Sequence, residues 1–183
     1  MLHRAHFAVT VISKDRPGIV ADTAEVLYRL GCNLEDSSCT LLGGDFAMIL
    51  TVSHPKPFSK VRLLDEFRRL HDEKGVVAHV RTLSPEELDN PSPVGELCLI
   101  SVYGADRPGI VYRVTRELAE FQVSIADLNT RVVGSKESPV YVMMLEAYLP
   151  EGMTVGEADG LLAGLRLELN VEIGVKAITP VSL

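Results

Sequence analysis

Two loops of the chain set an acid beside a short glycine-bearing turn. Ser13-Lys14-Asp15-Arg16-Pro17-Gly18-Ile19 leads from an alternating apolar stretch into one with helical spacing, and Gly104-Ala105-Asp106-Arg107-Pro108-Gly109-Ile110 does the same. The first amides of a helix have no partner within it, and with the positive end of the dipole they favour an anion such as a carboxylate. Gly18 and Gly109 lack a Cβ, so a ligand can come close to the backbone there. Asp15 and Asp106 add a negative acceptor beside that positive spot. An α-amino acid carries an ammonium and a carboxylate two bonds apart, so one loop offers a partner to each group. A plainer reading competes: the aspartate satisfies the helix amides, and the glycine permits tight helix-on-sheet packing. On the residues alone the plainer reading is the more economical.

Other chemistry is poorly supplied. The five histidines (His3, His6, His54, His71, His79) show no metal-ligand spacing, so no metal site and no cofactor are expected. No Gly-x-Ser-x-Gly elbow or Walker loop occurs. Gly43-Gly44-Asp45-Phe46 resembles the diguanylate-cyclase signature but lacks its second acid, and it reads better as a hairpin turn. Cys39 and Cys98 fall in strand-like runs and are expected to be buried hydrophobes. Met143-Met144 reads as core, and Arg68-Arg69 as solvated surface. No nucleophile is accompanied by a base, so no catalytic residue is named and an enzyme is not expected.

The elements that must position the two loops come from a repeat. Asp15-Arg16-Pro17-Gly18-Ile19-Val20 recurs as Asp106-Arg107-Pro108-Gly109-Ile110-Val111. The same spacing pairs Phe7, Val9 and Val11 with Cys98, Ile100 and Val102, and Leu34 and Asp36 with Ile125 and Asp127. Further on, Phe46-Ala47-Met48-Ile49-Leu50 matches Tyr141-Val142-Met143-Met144-Leu145 at a spacing four residues greater, as though a loop had grown. In the first copy a strand through Phe7–Val11 precedes Pro17, placed where a first helical residue tolerates proline. Ile19, Thr23, Leu27 and Leu30 follow at helical spacing, with Gly31 as the stop. Leu34–Leu42 and Asp45–Val52 are strands joined at Gly43-Gly44. A second helix carries Leu63, Leu64, Phe67 and Leu70 and ends at Gly75, and Val76–Leu83 is a last strand. The second copy predicts strand 96–104, helix 108–121, strands 123–133 and 139–149, helix 154–169 and strand 171–179, with a longer hairpin loop through 134–139. The order βαββαβ is the ferredoxin-like α+β arrangement: an antiparallel four-stranded sheet with two helices on one face. Residues 1–84 and 96–183 form the two domains, and 85–95, rich in proline and polar residues, is a linker.

The whole-chain balance argues against a nucleic-acid binder. Eighteen basic against 25 acidic residues give a formal net charge of −7, with no basic run, so direct contact with nucleic acid is not expected. Hydrophobic residues make up 46 % of the 183, enough to bury a core, and no apolar run reaches a membrane-spanning length. Met1 to His6 has no signal-peptide organisation, and three widely spaced cysteines suit reduced thiols, so a cytoplasmic protein is expected. Each sheet leaves an unpaired edge, which predicts that the copies pack as a pseudo-twofold pair within a homodimer.

The βαββαβ order with a strand-end Asp-Arg-Pro-Gly-Ile loop resembles the ACT domain, a small module that senses amino acids. Two copies cover almost the whole chain. The tandem arrangement, with no catalytic or DNA-binding domain attached, is similar to that of glycine-cleavage-system repressor-like proteins, a group thought to control transcription through a partner regulator. The resemblance implies a small amino acid as ligand and a protein partner, a transcription regulator or a biosynthetic enzyme; the alternative is an interaction module whose ligand sites have lapsed. It implies binding by Asp15, Arg16, Pro17, Gly18 and Ile19, and by Asp106, Arg107, Pro108, Gly109 and Ile110. It also implies that an Asn just after the first helix completes the site from a neighbouring domain. That residue is Asn33 in the first copy and Ser124, with no amide, in the second.

Overall fold

A computed structural model describes residues 4–88, 95–135 and 137–178. The chain separates into two compact units, one through residue 90 and one from residue 91. The first unit runs β1 (Ala5–Lys14), α1 (Ile19–Arg29), β2 (Asn33–Leu42), β3 (Asp45–His54), α2 (Lys60–Lys74), β4 (Val77–Thr82) and a single turn α3 (Pro85–Leu88). The second runs β5 (Leu97–Gly104), α4 (Ile110–Glu120), β6 (Ser124–Ser135), β7 (Ser138–Tyr148), α5 (Val155–Leu161), α6 (Ala163–Leu169) and β8 (Val171–Ala177). Of the expected linker, residues 85–88 are helical and 89–94 lie outside the described residues.

Both sheets are antiparallel and share one topology, β2-β3-β1-β4 and β6-β7-β5-β8. Strand alternation explains the core. Phe7, Val9 and Val11 of β1 and Met48, Leu50 and Val52 of β3 face Leu27 of α1 and Leu63, Phe67 and Leu70 of α2. The second unit repeats this with Ile100 and Val102 of β5, Met143 and Leu145 of β7, Val114 and Leu118 of α4, and Leu162 and Leu165 at the second helical layer. Both units are therefore ferredoxin-like, with the helices on one face of each sheet. The outermost strands β2 and β6 stay outside the helix layer, and every residue of each is exposed.

Four expectations need correction. Cys39 lies on exposed β2, so it is no buried hydrophobe, whereas Cys98 on inner β5 is fully buried. Pro17 and Pro108 stand outside their helices, because Gly18 and Gly109 are the N-caps and α1 and α4 begin one residue later. The four residues gained by the second copy do not enlarge a loop. β6 and β7 stay paired from Val133–Val140 through Gly134–Pro139 to Ser135–Ser138, so the insertion lengthens the ladder by two rungs. The helix expected over 154–169 is broken at Leu162, where the amide of Leu165 bonds the Leu162 carbonyl three residues back at 3.2 Å. Gly156, Gly160 and Gly164 weaken that stretch, each by roughly 1 kcal/mol against alanine.

The first helix of each unit ends in a left-handed residue, Gly31 (φ 71°) in one and Gln122 (φ 58°) in the other. A side chain there costs roughly 1–2 kcal/mol, partly offset by the backbone freedom glycine loses on folding. Gln122→Gly is expected to stabilise the chain by about 0.5–1 kcal/mol and Gly31→Gln to destabilise it by a similar amount, read from denaturant unfolding of the full-length variants.

Candidate functional site

Each candidate loop joins the end of a strand to the start of a helix through four residues in the first unit and five in the second. Gly18 takes φ 92° and ψ −1°, and Gly109 takes φ 97° and ψ −8°. Their carbonyls accept the first helical bonds, from the Asp22 amide at 2.8 Å and the Arg113 amide at 2.9 Å. Ile19 and Ile110 turn straight into the core, each 2 % exposed. Neither helix start has a side-chain cap, so the amides of the first turn remain open. Asp15 and Asp106 are exposed and do not cap; Asp15 instead donates its backbone N–H to Gly44 at 3.0 Å, which ties the loop to the β2–β3 turn. A Cβ at Gly109 would meet nothing within 4 Å, and one at Gly18 only Arg16 Nη1 at 3.7 Å. The glycines therefore serve the left-handed turn, not close packing, and both halves of the plainer reading are absent here.

In the first unit the loop borders an open concavity of about 480 Å³ lined by Asp15, Arg16, Gly18, Ile19, Val20, Ala21, Ala24 and Phe46. One end is charged and the rest of the wall is apolar. Val20, Ala21, Ala24 and Phe46 lay outside the expected set; the turn that carries α1 along the loop and the β1–β3 pairing of Ser13 with Phe46 bring them in. In the second unit the same positions are Val111, Tyr112, Thr115 and Tyr141. Tyr141 is 8 % exposed and its hydroxyl has no hydrogen-bond partner among the described residues. Burial pushes its phenol up, opposed by Thr130, which lies alongside without closing a bond of good geometry, and reinforced by the Asp106 carboxylate.

The two arginines behave differently. Arg16 Nη2 donates to Asp22 at 2.6 Å, and Lys74 from the end of α2 reaches the other oxygen of Asp22 at 2.5 Å. Asp22 thus clamps α1, α2 and the loop together, with a side chain only 13 % exposed. In the second unit Arg113 replaces Asp22 and donates to Glu168 of α6 at 2.6 Å, so the helix tie persists with its charges exchanged. Arg107 then has no acid at that place, and it makes no ion pair or side-chain hydrogen bond among the described residues.

Asn33 and Ser124 are not brought to these loops. Asn33 pairs with Ser53, and Ser53 with His6, at the far end of the sheet from Asp15. Nine residues of strand at about 3.3 Å each put roughly 30 Å between the two places. Ser124 pairs with Tyr148, level with Leu97, and is equally remote from Asp106. Around Asn33 lies a second open concavity, about 470 Å³, with Arg4, Tyr28, Cys32, Glu35 and Ser53. A bulge displaces Glu35 from the ladder, and the same bulge recurs at Ala126. At the corresponding positions the second unit has Gly95, Ala119, Val123, Ala126 and Tyr148, so the charged groups are gone.

Lys74 first, and then Arg16, holds the Asp22 carboxyl below its ordinary value of 3.8. A lowered carboxylate contributes stability that is complete above the unfolded value and is lost as pH falls through the folded one. The thermal midpoint of the protein is thus expected to drop on acidification below about pH 4, and Asp22→Asn to flatten that part of the profile while lowering stability at neutral pH. An unchanged acid slope in the variant would remove the clamp from the account.

Comparison with known proteins places the fold. A sequence model described as the ACT domain matches residues 5–81 and 96–144. The glycine cleavage system transcriptional repressor of Escherichia coli (strain K12) is 23 % identical over 176 residues, covering 94 % of this chain and 90 % of that protein. A crystal structure of an unknown protein from Galdieria sulphuraria superposes with a TM-score of 0.79 at 27 % identity, covering 97 % of this chain and 100 % of that one. The crystal structure of a putative glycine cleavage system transcriptional repressor gives a TM-score of 0.73 at 19 % identity over 97 % and 99 % of the two chains, a likeness of fold. Among the described residues no helix is long and apolar enough to cross a membrane. With both repeats matched and the βαββαβ sheets in place, this chain belongs to the ACT domain family as a tandem pair.

Proposed function

We propose that the protein is an amino-acid-sensing regulator that binds a small amino acid at its Asp-Arg-Pro-Gly-Ile loops and passes the result to a protein partner. One observation carries the reading: each loop presents an unbonded carboxylate beside uncapped helix amides, with open space over the glycine. The carboxylates Asp15 and Asp106 accept the ligand ammonium, while the amides following Gly18 and Gly109 receive its carboxylate. Arg107 adds a cation in the second unit. Asn33 and Ser124 contribute from a neighbouring domain, since neither reaches the loop of its own unit. The exposed edge strands, with Leu41 at 58 % and Leu42 at 77 % on β2 and Val132 and Val133 on β6, support assembly as a homodimer.

The partner is a transcriptional regulator by analogy with the E. coli relative, whose name is that of a transcriptional repressor. A net charge of −7 supports action through that partner in place of direct DNA contact, in a cytoplasmic protein without catalytic activity.

Titration calorimetry with the twenty amino acids tests the ligand. A charge-assisted hydrogen bond contributes about 1.5–3 kcal/mol, so Asp15→Ala and Asp106→Ala are expected to weaken binding about ten- to a hundredfold at their own loops while leaving the thermal midpoint nearly unchanged. Variants that lose stability yet bind as tightly as the parent would overturn the assignment. In gel-shift experiments at physiological salt the purified chain is expected not to retard DNA, and salt-sensitive, sequence-dependent retention would count against a partner-mediated route.

A further inference from the structure

Phe46 and Tyr141 occupy equivalent places in the two sheets. Phe46 pairs with Ser13 and Leu41, and Tyr141 with Gly104 and Val132. Phe46 walls the concavity that holds Asp15, Arg16 and Gly18. Its counterpart brings a hydroxyl to the strand position opposite Gly104, two residues before Asp106; it is buried, lies alongside Thr130, and closes no hydrogen bond of good geometry among the described residues. Buried hydroxyls in folded proteins are nearly always bonded, so one left open at a loop built for a ligand asks what completes it. The other changed wall positions do not supply an equivalent group. Thr115 spends its hydroxyl on the Val111 carbonyl at 2.8 Å, and Tyr112 is 66 % exposed.

We propose that Tyr141 is a specificity-determining residue: the second loop selects an α-amino acid whose side chain carries a hydroxyl or amide, while the first loop, walled by Phe46, Val20 and Ala24, takes an aliphatic one. The proposal rests on the reading that the loops bind amino acids, and it assigns the side-chain class to each. A phenol both donates and accepts, so it matches a ligand hydroxyl in either sense. A site that leaves such a group unpaired discriminates against the ligand lacking it, whereas a hydrocarbon wall gains from every methyl it covers. The two repeats then report on two chemically different amino acids through one fold.

The test uses the full-length chain and two near-isosteric pairs, L-serine with L-alanine and L-threonine with L-valine. In an Asp15→Ala background, which silences the first loop, calorimetry is expected to show serine preferred over alanine and threonine over valine. Adding Tyr141→Phe is expected to weaken serine and threonine by about two- to tenfold, the range of one neutral hydrogen bond, and to leave alanine and valine within twofold. In an Asp106→Ala background the first loop is expected to prefer valine, and Phe46→Tyr to move that preference toward threonine. Equal losses for all four ligands in Tyr141→Phe, or no change in any, would overturn the selectivity while leaving amino-acid binding intact. Absence of binding by the parent protein to any of the twenty amino acids would instead overturn the sensor reading, and this proposal with it. A purely structural hydroxyl would move the thermal midpoint of Tyr141→Phe but not the serine-to-alanine ratio.

Discussion

A residue with φ near +90° between the first strand and the first helix governs the rest of each unit. Gly18 and Gly109 reverse the chain so abruptly that the next residue, Ile19 or Ile110, drops into the core and pins the helix to the sheet. The same turn keeps the aspartate three residues back from folding over the helix end. The amides stay uncapped and the carboxylate stays free, at the rim of an otherwise apolar hollow. A side-chained residue in that conformation would cost roughly 1–2 kcal/mol and would stand over the open backbone. Fold and site therefore draw on one backbone angle.

The repeat makes most of this legible in the sequence. Strand alternation at Phe7, Val9 and Val11 and helical spacing at Ile19, Thr23 and Leu27 define which faces are buried, and all of these residues are buried in the fold. What escaped was whatever depends on the position of an element in the sheet and not on its own pattern. Cys39 reads as part of an apolar strand, but β2 lies beyond the helix layer. The four extra residues near Gly134 read as a loop because Gly, Ser and Pro are turn formers, yet cross-strand pairing absorbed them as two rungs. At the site, Asp15 and Gly18 were visible as a motif. The occupation of Arg16 by Asp22, the wall residue Phe46 and the buried phenol of Tyr141 depend on packing across the sequence, although the alignment of Phe46 with Tyr141 already marked that position as different.

The two copies have kept their backbones and diverged in their polar groups. At the loop end the first unit has an apolar wall beside Asp15 and an engaged arginine, while the second carries hydroxyls at wall positions and an arginine without a partner among the described residues. At the opposite end the distribution reverses: Arg4, Asn33 and Glu35 stand where the second unit has Gly95, Ser124 and Ala126. At that opposite end the exchanged positions are exposed and lie at or beyond strand ends, where substitution is tolerated. The ferredoxin-like frame is thus a constant that carries two different sets of polar groups.

The exchanged helix ties bear on how a chain with two like halves folds at all. The two halves bury apolar residues at equivalent positions of equivalent elements, and inter-domain misassembly is a characteristic failure of repeat proteins. In the correct arrangement Asp22 meets Lys74 and Arg113 meets Glu168. If α1 docked against the helix of the other half, Asp22 would face Glu168, and α4 in the remaining half would bring Arg113 to Lys74. Both mispairings set like charges together, so the reversed polarity of the two ties disfavours the crossed product.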